Sequence, residues 1–372
     1  MTADVFDLEF SSLRLPAGPG KQRRDRFGKS EHHDPDYDAR YDTDTLIYDC
    51  FEDHKAGEIV LLGPPFMNFE PWLAEASYVL DGRAVAVKEV RHLSRCSILA
   101  LDAAEGRELS VTHRHFGGRL TVGRSYVDAF AGLNGIYTIS LDNRLEWIRD
   151  WLHYYVSVHG LEAVVLTDNG STTYDPRDLH KLLKGVAGLR RAAILRGRFP
   201  FGPTAENRSA YNSLFLQRSM AEMGRLRFFA RARAVVNADI DEFFHSYRGR
   251  SIFDAAVASE TGYVRADAEW VYALAPGPDG FARHAEHSHV SATGRPKANR
   301  KWALVPDGPQ AGKQWMTHFL DNRHDPVDRD FRLWHFRQVS TGWKFDRQAV
   351  PAEALVESPD LIEAMARAFR SP

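Results

Sequence analysis

The spacing of apolar residues changes along the chain, and the changes divide it. From Glu58 to about Val127 the apolar runs are short. They are Ile59-Val60-Leu61-Leu62, Ala84-Val85-Ala86-Val87, Cys96-Ser97-Ile98-Leu99-Ala100-Leu101 and Arg119-Leu120-Thr121-Val122, split by turns bearing Gly, Asp and Pro. Runs of this length between turn residues predict a small β-rich unit. Near Gly135 strands begin to alternate with helices. Ile136-Tyr137-Thr138-Ile139-Ser140 is strand-like, and Asn143-x-x-Glu146 has the spacing of a capping box. Leu145, Ile148, Leu152 and Tyr155 then recur every three or four residues, the apolar face of a helix. Ala163-Val164-Val165-Leu166-Thr167, Ala192-Ala193-Ile194-Leu195 and Val235-Val236-Asn237-Ala238 follow as strands, the last after a helix that turns Tyr211, Leu214 and Phe215 inward. This alternation predicts a mixed, mostly parallel sheet flanked by helices, an α/β fold. The expected parts are an N-terminal arm and β-rich unit at 1–130, the sheet domain at 131–350, and a C-terminal helix at 351–372 carrying Leu355, Leu361, Ile362, Met365 and Phe369 at helical spacing.

Residues 16–45 fit neither pattern. They are rich in Pro, Gly and charge, which predicts an extended, poorly packed arm. Asp34-x-Asp36-x-Asp38 begins like a calcium loop, but Ala39 stands where the loop needs Gly and Thr45 where it needs Glu. Gly18-Pro19-Gly20-Lys21 lacks the remaining residues of a phosphate loop. With 372 residues, 44% apolar, the chain has enough material for a full core. A formal charge of -2 gives no basic field, so nucleic acid is not the expected partner. Cys50 and Cys96 are the only thiols, too few for a disulfide framework, which suits a reducing cytoplasm. The first ten residues lack a basic signal-peptide start, and no apolar run is long enough to cross a bilayer. Membrane association is expected to be peripheral at most, at the inner face.

The chemistry concentrates where strands end. Val235-Val236-Asn237-Ala238-Asp239-Ile240-Asp241-Glu242-Phe243-Phe244 reads as a buried strand that stops at a sheet edge. Asp239 and Asp241 are hard oxygen donors two residues apart, a pairing that suits Mg²⁺ or Mn²⁺ and leaves positions for substrate phosphates. The plainer reading is a solvated turn closed by acids. Asp168 ends a second strand of the same sheet, and in parallel sheets ligands sit outside such ends. His113 and His115 share a strand face without a third ligand. His284-x-x-His287-x-His289, in a Gly- and Pro-flanked insertion, reads as a solvated loop sooner than a zinc site. Arg295, Lys297, Arg300 and Lys301 form a basic run, either a solvated face or a hold on phosphate oxygens. Trp270, Tyr272, Trp302, Trp315, Trp334 and Trp343 are expected mostly in the core, with one or two free to stack on a sugar ring.

Three segments together resemble a family. They are Thr138-Ile139-Ser140-Leu141-Asp142-Asn143-x-Leu145-Glu146-Trp147-Ile148, Val164-Val165-Leu166-Thr167-Asp168-Asn169-Gly170-Ser171-Thr172 and Asn237-x-Asp239-Ile240-Asp241-Glu242-Phe243. In order and spacing they are similar to GT-A-fold glycosyltransferases, among them bacterial family 2-like enzymes and the family 92 group with its Asp-x-Asp-Glu-Phe signature. The similarity continues through Lys301-Trp302-Ala303-Leu304-Val305-Pro306, Met316-Thr317-His318-Phe319 and Leu333-Trp334-His335-Phe336-Arg337-Gln338-Val339-Ser340-x-x-Trp343, and so covers roughly 135–350. It implies a Rossmann-like GT-A sheet and transfer of a sugar from a nucleotide-sugar donor, a UDP-sugar foremost, to a glycan or glycolipid acceptor in surface polysaccharide or lipopolysaccharide synthesis. Asp168 and Asn169 would meet the nucleoside, and Asp239, Arg300 and Lys301 the diphosphate. Asp239, Asp241 and His335 would hold the ion, with His318 as rival to His335. An inverting transfer needs a carboxylate base. Asp267 and Glu269, on one face after strand 261–266, are the candidates, but the plain family 2 Glu-Asp pair is missing there. Two other classes share the carboxylate arrangement: a nucleotidyltransferase or phosphotransferase, and a carbohydrate-binding protein without turnover.

Overall fold

The computed structural model describes the chain apart from residues 1, 17, 19, 30–32, 34, 204–212, 276, 278–279, 295–296, 322–325, 344–346, 351–353 and 370–372. Asp34, Tyr211, Arg295 and the side chain of Lys297 lie outside the described residues. The chain forms two compact units, one made of Met1–Leu8, Ala129–Arg196 and Phe229–Pro372, the other of Glu9–Asp128 and Gly197–Phe228. Each unit therefore takes in a segment from the far side of residue 130. The first residues join the sheet unit, where Asp4 N donates to Arg190 O at 3.1 Å. The helix Phe215–Met223, expected beneath the central sheet, belongs instead to the β-rich unit, where Ser219 Oγ donates to Gly63 O at 3.3 Å. Periodicity shows that a helix has an apolar face but not which core receives it.

In the sheet unit the strands are β1 (Asp4–Glu9), β2 (Asn134–Ser140), β3 (Ala163–Asp168), β4 (Arg191–Arg196), β5 (Ala234–Asn237), β6 (Glu242–Ser246), β7 (Tyr263–Tyr272), β8 (His289–Ser291), β9 (Lys297–Leu304), β10 (Phe331–Phe336) and β11 (Leu355–Glu357). The helices are α1 (Leu145–Tyr154), α2 (Pro176–Gly185), α3 (Ile252–Ala258) and α4 (Pro359–Ala368). The strand order is β1-β4-β3-β2-β5-β9-β7-β8-β11, with β10 paired to β7 and β6 to β10. β4, β3, β2 and β5 run parallel, while β9 is antiparallel to β5 and to β7. This is a mixed α/β sheet. From β2 the chain moves outward to β3 and β4 and then returns to place β5 on the other side of β2. The crevice between the carboxyl ends of β2 and β5 is therefore the topological switch point, where open α/β sheets bind ligands.

The four parallel strands are nearly continuous runs of buried Val, Ile, Leu and Ala, the pattern of a sheet covered on both faces. α1 and α2 cover it with Trp151, Leu152, Leu179 and Leu183, and α3 adds Ile252, Phe253 and Ala256. Leu361 and Met365 of α4 join the same core, although the helix is shorter than expected, Leu355 lying in β11, and Ile362 faces outward.

The second unit holds two four-stranded antiparallel sheets and a two-stranded one. Leu46, Ile59, Leu61, Phe69, Leu99 and Leu109 fill its core. Its 16–45 stretch is better packed than its composition suggests. Arg24, 3% exposed, donates to the carbonyls of Asp42, Thr45 and Pro65, and Tyr37 and Tyr41 pack on Phe215. A buried guanidinium needs such acceptors to offset its lost hydration.

Candidate functional site

β5 ends at Asn237, whose amide donates to Thr317 O at 2.7 Å and to Met316 O at 3.2 Å. The chain then reverses in a turn in which Glu242 N donates to Asp239 O at 3.0 Å. The Glu242 carboxylate closes the turn from inside by accepting Asp239 N–H at 2.8 Å. Ile240 is buried at the apex, and its carbonyl faces His284 Nε2 at 2.9 Å. The two aspartates are thus aimed by a buried Ile, a buried Glu and a buried His.

Strand registry supplies the partners. Lys301 of β9 sets its ammonium 3.1 Å from both Asp239 Oδ2 and Glu242 Oε2, with 1% of its side chain exposed. His335 of β10 stands opposite Glu242 of β6 and beside Trp270 of β7, and its ring stacks on Trp270 at 3.9 Å. His335 Nε2 lies 3.0 Å from Asp241 Oδ2. Arg347 brings Nη1 to 2.9 Å from Asp241 Oδ2 and 3.0 Å from His335 Nε2, with its guanidinium 5.0 Å from the centre of the Trp270 ring.

The charges tune one another. Burial pushes Asp241 up, but His335 and Arg347 outweigh it and hold the carboxyl below its ordinary value. Burial pulls Lys301 down, and Asp239 and Glu242 more than reverse this, so the ammonium stays charged. Glu242 is raised by burial and by Asp239 and Asp241, against the pull of Lys301 and His335.

Among the described residues no three His, Cys, Asp or Glu side chains are grouped to enclose an ion. Two donors suffice where a substrate supplies the rest, as phosphate-bound Mg²⁺ usually has it. Asp241 Oδ2 and His335 Nε2 fit that role, because their 3.0 Å separation matches adjacent ligands of an octahedral ion. Bonds of about 2.1 Å at right angles put neighbouring donors about 3 Å apart. Asp239, expected as a third ligand, is turned to Lys301.

The neighbouring loops belong to β2 and β3. Asp142 sits at φ +55°, a left-handed conformation that Asp tolerates, and its Oδ1 accepts Thr172 N at 2.6 Å and Thr173 N at 3.0 Å. Asp168 accepts Ser171 N at 3.0 Å and lies 3.5 Å from Arg196, while Asn169 N donates to Ser140 O at 2.8 Å. Asp7 of β1 grips Arg196 at 2.6 Å and 3.0 Å, and that guanidinium holds the Asp7 carboxyl below its ordinary value. A pocket of about 80 Å³ lies over Asp239 and Asp241, walled by Ile139, Asn143, Trp343 and Arg347. A cleft of about 910 Å³ shares Ser340 and Thr341 with it and is lined further by Asp142, Arg144, Leu274 and Phe281.

The other expected site residues lie elsewhere. Neighbouring strand residues face opposite ways. With Trp270 turned to His335, Asp267 and Glu269 face the other side of β7; with Lys301 turned to Asp239, Arg300 faces the other side of β9. Arg300 ion-pairs with Asp267 at 2.6 Å, and Arg300 O lies 3.1 Å from His318 Nδ1. Burial raises Glu269 against the pull of Arg332. The histidine cluster is no solvated loop, for His284 and His287 are both buried, and burial pushes His287 down to about 3. Its spacing reflects packing, with His284 stacked on Phe243 at 4.5 Å. In the β-rich unit, His115 stacks on Trp72 at 4.3 Å. Arg347 carried no signal in the sequence, since it follows no periodic segment and belongs to no charge run. No protein-family model matches the chain, and a search of characterised proteins found no significant similarity.

Proposed function

We propose that this chain is a GT-A-type glycosyltransferase that moves a sugar from a nucleotide-sugar donor to a glycan or glycolipid acceptor. The observation that carries the reading is the Asp239–Glu242 turn at the carboxyl end of β5, across the switch-point crevice from the loop after β2. Three carboxylates and two cations converge there beside a large cleft, an arrangement suited to a phosphate-bearing ligand. Lys301 is held charged at the turn and stabilises Asp239 and Glu242 against their mutual repulsion. Asp168, buried and steadied by the Ser171 amide and Arg196, is the residue this reading assigns to the donor nucleoside. Asp241 and His335 would hold a Mn²⁺ or Mg²⁺ ion, which when bound neutralises charge on the departing nucleoside diphosphate. Asp267 and Glu269 stand on the far face of β7, so neither is assigned here as the base. By the same reading, the work is cytoplasmic, at the inner face of a membrane where surface glycans are assembled.

The test uses the full chain with UDP-, GDP-, CMP- and dTDP-sugars, with and without Mn²⁺. One donor is expected to raise the melting temperature and to be turned over with release of its nucleotide, since a ligand of the native state stabilises it by mass action. Asp241→Ala should keep the circular dichroism spectrum and lose on the order of a hundredfold in turnover, the scale of losing one transition-state stabiliser. Nucleoside triphosphate turnover with pyrophosphate release would assign a nucleotidyltransferase instead. Glycan binding without turnover would assign a binding protein.

A further inference from the structure

We infer that Arg347 is a displaceable internal counter-ion that competes with a divalent cation for the Asp241–His335 pair. This rests on the reading above that the pair accepts such an ion. Arg347 Nη1, Asp241 Oδ2 and His335 Nε2 form a near-equilateral triangle with sides of 2.9, 3.0 and 3.0 Å. A neutral imidazole nitrogen offers either one N–H or one lone pair. If Nε2 carries the proton it donates to Asp241; if it does not, its lone pair takes the N–H of Arg347. In both tautomers the atom is engaged, and an ion can use it only after this triad is rearranged. Asp241 Oδ2 is likewise the acceptor for Arg347, so the guanidinium already supplies the positive charge that an ion would bring.

The neighbouring volume points the same way. The pocket over Asp239 and Asp241 measures about 80 Å³ and Arg347 forms part of its wall. Sites for cofactor-sized ligands usually span about 300–1,000 Å³. Withdrawing Arg347 would free both donors and widen this pocket toward the 910 Å³ cleft, with which it already shares Ser340 and Thr341. The Arg347 side chain is 21% exposed, so part of it already faces solvent. Trp270, buttressed by both His335 and Arg347, would keep the imidazole in place when the guanidinium departs.

The probe is Mn²⁺ alone, followed by electron paramagnetic resonance of the free ion at fixed ionic strength, with no sugar donor and no turnover involved. Arg347→Ala is expected to bind Mn²⁺ at least tenfold more tightly than the wild type, with Arg347→Gln intermediate or equal to it. Adding Asp241→Asn to Arg347→Ala should abolish the gain, a double-mutant cycle that confines the effect to this pair. Unchanged or weaker binding in Arg347→Ala overturns the competition, as does a gain that survives Asp241→Asn. Absence of Mn²⁺ binding in every variant overturns the competition and the ion site together. Sugar transfer is then still judged separately, by the donor-induced thermal shift measured without metal.

Discussion

Lys301 and Arg300 differ by one position and live in different worlds. Arg300 pairs with Asp267 at the surface, whereas Lys301 is buried between Asp239 and Glu242. The sequence displays both as one basic run, because a charge run carries no record of which member a strand turns inward. Registry decides it, and registry comes from β9 lying between β5 and β7. Removing one member of a buried ion cluster leaves the others uncompensated, at a cost of about 3–5 kcal/mol. Lys301→Met should therefore lower unfolding stability by that order in urea titrations at pH 7. The sign with pH follows. Without the lysine, Glu242 titrates still higher in the folded state than in the unfolded chain, so the deficit should grow as pH rises through its ionisation. Lys301→Met with Glu242→Gln should recover at least half of the loss, because Gln can still accept Asp239 N–H. A loss below about 1 kcal/mol for Lys301→Met alone, the scale of a surface pair, would mean the ammonium is not the keystone of this turn.

At the scale of elements, the helix after β2 does more than cover the sheet. The apolar spacing of Leu145, Ile148, Leu152 and Tyr155 made α1 legible. The π-helical turn that continues it, Tyr155–His159, was not, because one extra residue in a turn leaves no mark on spacing upstream of it. The end of α1 and this turn set a row of donors against β6. Tyr154 and Tyr155 donate to Phe244 O and Glu242 O, both at 3.0 Å, and His159 Nε2 lies 2.6 Å from Phe244 O. His159 Nδ1 accepts Ile252 N–H at 3.2 Å, so the neutral ring joins β6 to the start of α3 with both nitrogens used. Burial pushes His159 down to about 4. The unfolded ring titrates near its ordinary value, about 6.5, so between these pH values the unfolded chain binds the extra proton. The stabilisation is fully present above about pH 6.5 and fades as pH falls toward 4, by on the order of 3 kcal/mol in all. Unfolding free energies measured from pH 7 to pH 4.5 should fall accordingly, and His159→Gln should be less stable at pH 7 but visibly flatter with pH. His287, lowered in the same direction, leaves a residual slope in that variant. Parallel pH profiles for wild type and variant would remove His159 from this role.

For the whole molecule, alternating patterns revealed an α/β sheet and a β-rich unit, since burial on two faces and burial on one face write different periods into a sequence. Strand order was not legible, because the pairing of β5 with β2 involves residues about a hundred positions apart whose side chains are interchangeably apolar. Nor was the assignment of the first residues. The first ten residues fall within the expected arm and β-rich unit at 1–130, yet β1 lies beside β4 at the end of the large sheet, with Ala3 N donating to Lys184 O at 3.3 Å and Asp4 pairing with Arg191 at 2.8 Å. In that position β1 covers an edge that would otherwise offer unpaired backbone groups to other chains. It also holds Arg196, which in turn reaches Asp168. Two variants separate these roles. Asp7→Asn weakens the ion pairs with Arg196 and His180 but leaves the strand in place, so stability should change by no more than about 1 kcal/mol and solubility should not change. Deleting residues 2–8 bares the β4 edge as well, and is expected to lower the melting temperature by several degrees and to shift the protein to aggregates on size-exclusion chromatography. If the truncated chain melts and elutes as the wild type does, β1 is dispensable to the sheet. If Asp7→Asn aggregates as readily as the deletion, the ion pair with Arg196, and not the strand pairing, closes this edge.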